Sequence, residues 1–363
     1  YTLFLIVSFA VLNIGYASKY SLLSLFNSTT SGLMVLAWAV ALVNLLLFQK
    51  NLLGLKGKFK VPSGVLSLVG VLVLVAILGV LAFGLDFIVG RLSGVYGQLV
   101  NDATSRWILT VAESHQPYFT DWISQFGWTF IIFFFLGAVG LFYQVVKSVK
   151  EKYWLTSGFA AFLLLFSMSR YSAASVFNGE SNLALLAYVG SLVVFIGGLA
   201  YYYLWKYYKD KENFIKLHNF DRMFILVLIT FFFFLVGART AIRLVFSFVP
   251  IVAILASYFV FSAGERAWKM KEDLFKYGVI VVLVLLAGVM LYNGYNTSLG
   301  QASYTGPSYN AQWQYGMDWV RENTDEDAVF AHWWDYGYWV QTGGERATIS
   351  DGGNALAAIN HFT

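Results

Sequence analysis

From Gly64 to Leu85 the chain passes through 22 residues without one charged side chain. A run that long and that apolar is suited to crossing ~30 Å of hydrocarbon as a helix, and to little else. It is one of nine such stretches, each long enough or nearly so, at 2–17, 32–49, 64–90, 127–146, 153–169, 183–205, 223–238, 241–262 and 277–293. With 58% of residues hydrophobic and 12% charged, the pattern predicts a polytopic α-helical membrane domain of about nine spans. The absence of cysteine removes any disulfide framework and any thiol chemistry. The chain starts at Tyr1 with no cleavable signal pattern ahead of the first apolar stretch, and it stops soon after an α/β-like stretch begins. It is therefore expected to be part of a longer protein.

The formal net charge of +4 does not point to nucleic acid, because the cations are sorted by loop. Alternate loops at 50–63, 147–152, 206–222 and 266–276 hold sixteen of the 24 Lys and Arg, including every lysine except Lys19. Positive loops mark the cytoplasmic side. The N-terminus is thus expected inside, and the 91–126 loop and everything after 294 outside. Two Asn-X-Ser/Thr sequons, at Asn27 and Asn296, fall on that outer side.

The expected domains are a transmembrane domain over 1–295, with its long outer loop at 91–126, and the start of an extracytoplasmic α/β domain over 296–363. In the latter, Trp313, Met317 and Val320 recur at helical spacing, so 309–322 reads as an amphipathic helix. "AVFAHW" and "RATISD" read as strands. Between them, Asp335 is placed to cap a helix running through Gln341, ended by Gly343 and Gly344. Strand, helix, strand is the opening of an α/β layer.

Across this segment runs "AHWWDYGYWVQTGGERATISDGGN". Adjacent tryptophans near a membrane suggest an interfacial aromatic belt, although these lie some forty residues past the last span. A second reading makes them the aromatic core of the small domain. The third is a hydroxyl pocket. An alcohol donates once and accepts twice, a carboxylate only accepts, and an indole N–H only donates, so one aspartate and two indoles saturate a Ser or Thr hydroxyl. A site of that kind rejects an analogue lacking the hydroxyl, because its own polar groups would be left unpaired.

"WWDYG" resembles the signature of the catalytic subunits of oligosaccharyltransferases, the enzymes of protein N-glycosylation. The flanking "GPSYNAQWQYGMDWVRENTDEDAVFAHWWDYGYW" is most similar to archaeal members. The resemblance assigns Trp333, Trp334 and Asp335 to the Ser/Thr of the acceptor sequon. "TVAESHQP", in the long outer loop, resembles the family's short glutamate motif and assigns Glu113 as catalytic carboxylate and metal ligand. "GARTAIRLVFSFVPIVAIL" resembles the family's membrane arginine followed by a proline-containing helix. That match selects Arg243 for the donor phosphate, with Arg239 and the Arg170 of "SMSRYSA" as lesser candidates. Read as residues alone, Arg239 and Arg243 stand i, i+4 on one helical face, where they either snorkel to headgroups or serve as fixed cations.

The resemblance spans roughly 64–363 and implies a GT-C type membrane glycosyltransferase architecture. It further implies inverting, metal-dependent transfer of an oligosaccharide from a dolichol-type lipid phosphate or pyrophosphate to the Asn amide of Asn-X-Ser/Thr, with Mg²⁺ or Mn²⁺ as cofactor. Accessory subunits stay open. The family's acidic motifs in earlier outer loops have no counterpart here, so this segment alone is expected to be inactive. The later motif completing the pocket would lie beyond Thr363. Six apolar segments follow the Glu113 loop, where the resemblance implies about four. The alternative is another lipid-phosphate-sugar glycosyltransferase of the same architecture, which would have no use for a Ser/Thr pocket. A transporter would carry ionisable residues at mid-membrane in broken helices, whereas here nearly all of them lie in loops.

Overall fold

The computed structural model of the chain describes residues 29–100, 111–218 and 220–353. Among them, six helices are long and apolar enough to cross a membrane, not nine. The stretch at 2–17 lies outside the described residues. That at 32–49 becomes helix α1 (Thr29–Val43) running into a π-helical turn, Asn44–Gln49. The 64–90 stretch breaks at Gly84, whose φ of +80° is ill suited to other residues, giving α2 (Ser63–Phe83) and α3 (Leu85–Val100). A short α4 (Phe119–Phe126) precedes α5 (Trp128–Val146). The 153–169 stretch forms α6 (Lys152–Met168). Its 17 residues rise about 25 Å, at the short end of what crosses the hydrocarbon layer. Then come α7 (Asn182–Lys209, with a π-helical turn at Leu186–Gly190), α8 (Lys211–His218), α9 (Arg222–Thr240), α10 (Val245–Trp268) and α11 (Asp273–Tyr304).

The chain divides into two compact units, 1–100 with 200–214 and 101–199 with 215–363. In the first, α2 packs against α1 and α3. Near the end of α7, the buried Lys206 ammonium lies 2.9 Å from Asp210 and 4.5 Å from the Trp205 ring centroid. Hydrogen bonds from Asn213 and then Lys206 hold the Asp210 carboxyl well below its ordinary range.

In the second unit the core is the pair α5 and α10, with α6 and α9 against α5. A Cβ on Gly137 would stand 1.9 Å from the carbonyl oxygen of Leu255, so the two backbones touch where α5 has no side chain. Phenylalanines fill the space on either side. Phe134 meets Phe248 edge-on at 5.9 Å, Phe231 stacks on Phe248 at 5.9 Å, and Trp122 of α4 closes the end at 5.4 Å from Phe248. These rings are at most 1% exposed. Helix α11 lies against α10 and buries Leu283, leaving most of its apolar residues exposed. Its 32 residues reach about 48 Å, longer than the hydrocarbon layer.

Beyond α11 lie α12 (Ala311–Asn323), β1 (Val329–Phe330), α13 (Gly337–Thr342) and β2 (Ala347–Thr348). The two strands pair in parallel, Val329 opposite Ala347 and Phe330 opposite Thr348. The expected strand, helix, strand order is present, but each strand is two residues long, and these are the described strands. The amphipathic helix forms over 311–323, capped by Asn310, whose Oδ1 accepts from Trp313 N at 3.1 Å.

Candidate active site

The site is built first at one end of the α5–α10 pair. Glu113 sits in a 3₁₀ turn, Ala112–Ser114, and is exposed. The residues after it are fixed by their backbone. Phe119 N donates to Arg170 O at 2.7 Å, and Ile242 N donates to His115 O at 2.9 Å. That second bond joins the Glu113 turn to the 3₁₀ turn Ile242–Leu244, which carries an exposed Arg243. Glu113 and Arg243 therefore lie on two turns stitched to each other, although 130 positions separate them in the sequence.

Arg239 and Arg243 do not share a helical face. Helix α9 ends at Thr240, and Ala241 is extended at φ −153°, ψ 138°. Arg239 points into the protein and is 2% exposed. Its Nη1 donates to Gln116 Oε1 at 3.0 Å, and its Nη2 and Nε donate to Ser169 Oγ at 3.2 and 3.4 Å. The guanidinium also lies 4.5 Å over the Tyr188 ring. Its hydrogen-bond partners are thus neutral side chains. Arg170 is buried too, 4.5 Å over the Tyr118 ring, with Nε and Nη1 lacking a hydrogen-bond partner. Gln116, Ser169, Tyr118 and Tyr188 were not singled out from sequence. Gln116 lies inside the glutamate motif and Ser169 beside Arg170, but nothing local shows that either meets a guanidinium.

The second part is the small domain. Trp313 stacks on Tyr336 at 4.8 Å and meets Trp339 at 4.7 Å, while Tyr309 reaches Trp339 at 5.8 Å. Tyr309, Trp313 and Phe330 pack against the buried Met317, Val320 and Val340. The aromatic-core reading concerns the Trp333–Trp334 pair, whereas the rings that meet here are Tyr309, Trp313, Tyr336 and Trp339. It fails for Trp333, which is 37% exposed, and for Asp335, which is also exposed. Trp334 is half-buried. Asp335 does not cap a helix as expected. It lies inside a 3₁₀ turn, Trp334–Tyr336, and the residue before α13 is Tyr336. Gly337 follows because a Cβ there would fall 2.3 Å from Ser350 O. Buried Arg346 braces the turn-rich frame, donating to the carbonyls of Arg321 and Thr324 at 2.7 Å each.

The structure joins the turns that carry Glu113 and Arg243 and keeps Trp334 and Asp335 on one turn, with Trp333 just before it. Among the described residues, no hydrogen bond or ion pair links that turn to Glu113. Nor do the described residues bring three His, Cys, Asp or Glu together as a metal would need. Glu113 alone does not make a divalent-cation site.

No family model matches the chain, and no solved structure matches it. Among curated proteins it is similar to a dolichyl-phosphooligosaccharide-protein glycotransferase of Pyrococcus furiosus, 29% identical over 121 residues, which is 32% of this chain and 12% of that protein. It is similar to a dolichyl-monophosphooligosaccharide–protein glycotransferase of Haloferax volcanii, 25% identical over 298 residues, 66% of this chain and 26% of that one. It is also similar to the STT3 subunit of the Saccharomyces cerevisiae dolichyl-diphosphooligosaccharide–protein glycosyltransferase, 24% identical over 136 residues, 31% of this chain and 19% of that one. The matches cover about a quarter or less of each relative's length. The chain carries apolar, membrane-length helices and is similar, over part of its length, to proteins named as glycosyltransferases. More closely, it is a relative of the archaeal and yeast oligosaccharyltransferase catalytic subunits.

Proposed function

We propose that the chain serves an inverting oligosaccharyltransferase, moving an oligosaccharide from a dolichol-type lipid phosphate or pyrophosphate to the Asn side-chain amide of Asn-X-Ser/Thr. A carboxamide nitrogen is a poor nucleophile because its lone pair is delocalised into the carbonyl. Glu113 accepts an amide N–H and turns the nitrogen toward the sugar. As the nitrogen–carbon bond forms, the bond from that carbon to the phosphate oxygen breaks, the nitrogen's surplus proton passes to the Glu113 carboxylate, and Arg243 balances the charge on the departing phosphate. Trp333, Trp334 and Asp335 hold the hydroxyl two residues along, so that remote binding energy sets the register of the reacting nitrogen. Mg²⁺ or Mn²⁺ would be a further requirement of the family, with Glu113 as one oxygen ligand. The lysine-rich loops would face the cytoplasm, and the small domain, starting near 296, the outside.

The observation that supports this reading over another lipid-phosphate glycosyltransferase is the exposure of Trp333 and Asp335. Nearby Tyr336 and Trp339 are engaged with Trp313, whereas Trp333 and Asp335 stay open to a ligand. In the full-length protein, Asp335→Ala should weaken binding of an Asn-X-Thr peptide by roughly 2–4 kcal/mol, the loss for a hydrogen bond to a charged partner. An Asn-X-Val peptide should bind both proteins equally weakly. Unchanged Asn-X-Thr affinity in Asp335→Ala would remove the pocket assignment.

A further inference from the structure

At the opposite end of α5 from Glu113, a cavity of about 860 Å³ opens between α5, the start of α6 and the end of α10. Its lining is graded along the helix axes. Leu136, Val139 and Phe259 lie at one end; Lys147, Lys152 and Arg266 lie at the other. From Leu136 to Lys147 along α5 is about 16 Å, and the change from apolar to cationic runs the same way on α10, from Phe259 to Arg266. Fourteen residues line the cavity, and none is Asp or Glu. Of the neighbouring acids, Glu265 is drawn away to Lys269 at 2.6 Å, and Glu151 precedes Lys152 in the chain. Lys152 lies 5.3 Å from the Tyr153 ring centroid and 6.0 Å from that of Tyr143. Trp154, Tyr153 and Trp268 are 82%, 67% and 62% exposed at this level. Large amphipathic rings pointing outward mark the headgroup depth of a bilayer.

We propose that this cavity binds an anionic phospholipid of the leaflet at the lysine-rich end. Its phosphate sits among Lys147, Lys152 and Arg266, and an acyl chain lies along Leu136, Val139 and Phe259. Length and polarity decide the ligand class. A soluble phosphate would fill the cationic end and leave the apolar stem wet. A zwitterionic lipid would bring its own cation to a site that already holds three. The site is independent of the proposed transfer reaction, which uses the other end of the bundle.

The test is retention of phosphatidylglycerol by the purified full-length protein through detergent exchange, read by native mass spectrometry beside phosphatidylcholine. The wild type should retain phosphatidylglycerol selectively. A triple variant, K147Q with K152Q and R266Q, should bind it about a hundredfold more weakly, each basic residue near a membrane surface contributing about fivefold. The variant K56Q with K58Q and K60Q removes the same charge from another basic loop and should retain the lipid. Gly140→Leu fills the apolar stem without touching a cation and should also lose the lipid, which keeps the test informative if the triple variant fails to fold. Equal retention by wild type and triple variant would overturn the proposal. So would equal retention of the two lipids by the wild type. Stabilisation of the protein by inorganic phosphate with no lipid retained would reassign the site to a soluble anion and overturn it as well.

Discussion

Replacing Gln116 by leucine tests how the buried arginine supports the exposed glutamate. Gln116 is 7% exposed and accepts Nη1 of Arg239 at 3.0 Å. Leucine keeps most of the side-chain volume but leaves that N–H facing a methyl group, in a place where the guanidinium is 2% exposed. A hydrogen bond to a charged group contributes about 1.5–3 kcal/mol, and the added apolar burial offsets about 1 kcal/mol. The net expectation is a destabilisation of about 0.5–2 kcal/mol. Gln116 lies three positions after Glu113 and one after His115, whose carbonyl takes the Ile242 N–H. Loosening it lets the carboxylate drift from the Arg243 turn, and a drift near 1 Å lowers turnover by on the order of ten- to a hundredfold. The assays are thermal unfolding in detergent and single-turnover glycosylation, with peptide affinity measured separately. Stability and turnover should fall while peptide affinity holds, because the hydroxyl turn belongs to the small domain. Gln116→Glu, which offers Arg239 a carboxylate, should keep the fold. Wild-type unfolding and wild-type turnover in Gln116→Leu would refute the reasoning.

Arg243→Ala should raise the donor KM or lower turnover about tenfold or more while leaving peptide affinity intact, since its charge meets the lipid phosphate rather than the peptide. Arg239→Ala should instead lose stability; a folded Arg239→Ala with the donor defect, beside a normal Arg243→Ala, would reverse the two roles. Gly137→Ala should destabilise by about 3 kcal/mol, the upper end of overpacking costs, because its Cβ would meet the Leu255 carbonyl at 1.9 Å; an unchanged unfolding midpoint would contradict the α5–α10 contact. With acceptor bound, Glu113 and Asp335 should stand roughly 8–15 Å apart, two extended residues advancing ~3.3–3.6 Å each plus side chains. Spin labels at the two positions would read this, and a separation beyond ~25 Å would end the shared-site idea.

The apolar runs and the sorted lysines made the helices legible, because both are properties of single segments. What failed was punctuation. Nothing in "LAFGLDF" except one glycine shows that a helix stops there, and that glycine is apolar enough to pass for membrane. Asp335 resembled a cap on its residue type, but Gly337 presses so closely on Ser350 that the chain turns first, and the helix starts later. The motif aromatics divided in a way composition cannot show: Tyr336 and Trp339 face Trp313, which lies more than twenty residues upstream. The partners of Arg239 are hidden for the same reason. Gln116 and Ser169 reach it across 123 and 70 positions, and no local pattern encodes a distance of that kind.

The one extended residue at Ala241 gives neighbouring arginines opposite sensitivities to salt. Arg243, exposed, acts on an approaching anion through water, where mobile ions screen charge over a Debye length of about 8 Å at physiological ionic strength and about 3 Å at 1 M. Arg239 acts through protein, where no mobile ion enters. Raising ionic strength should therefore weaken capture of the phosphate donor progressively while the scaffold around Gln116 stays rigid. A salt titration on the unmutated enzyme would then separate recruitment from architecture, two roles that a substitution at either arginine would blur.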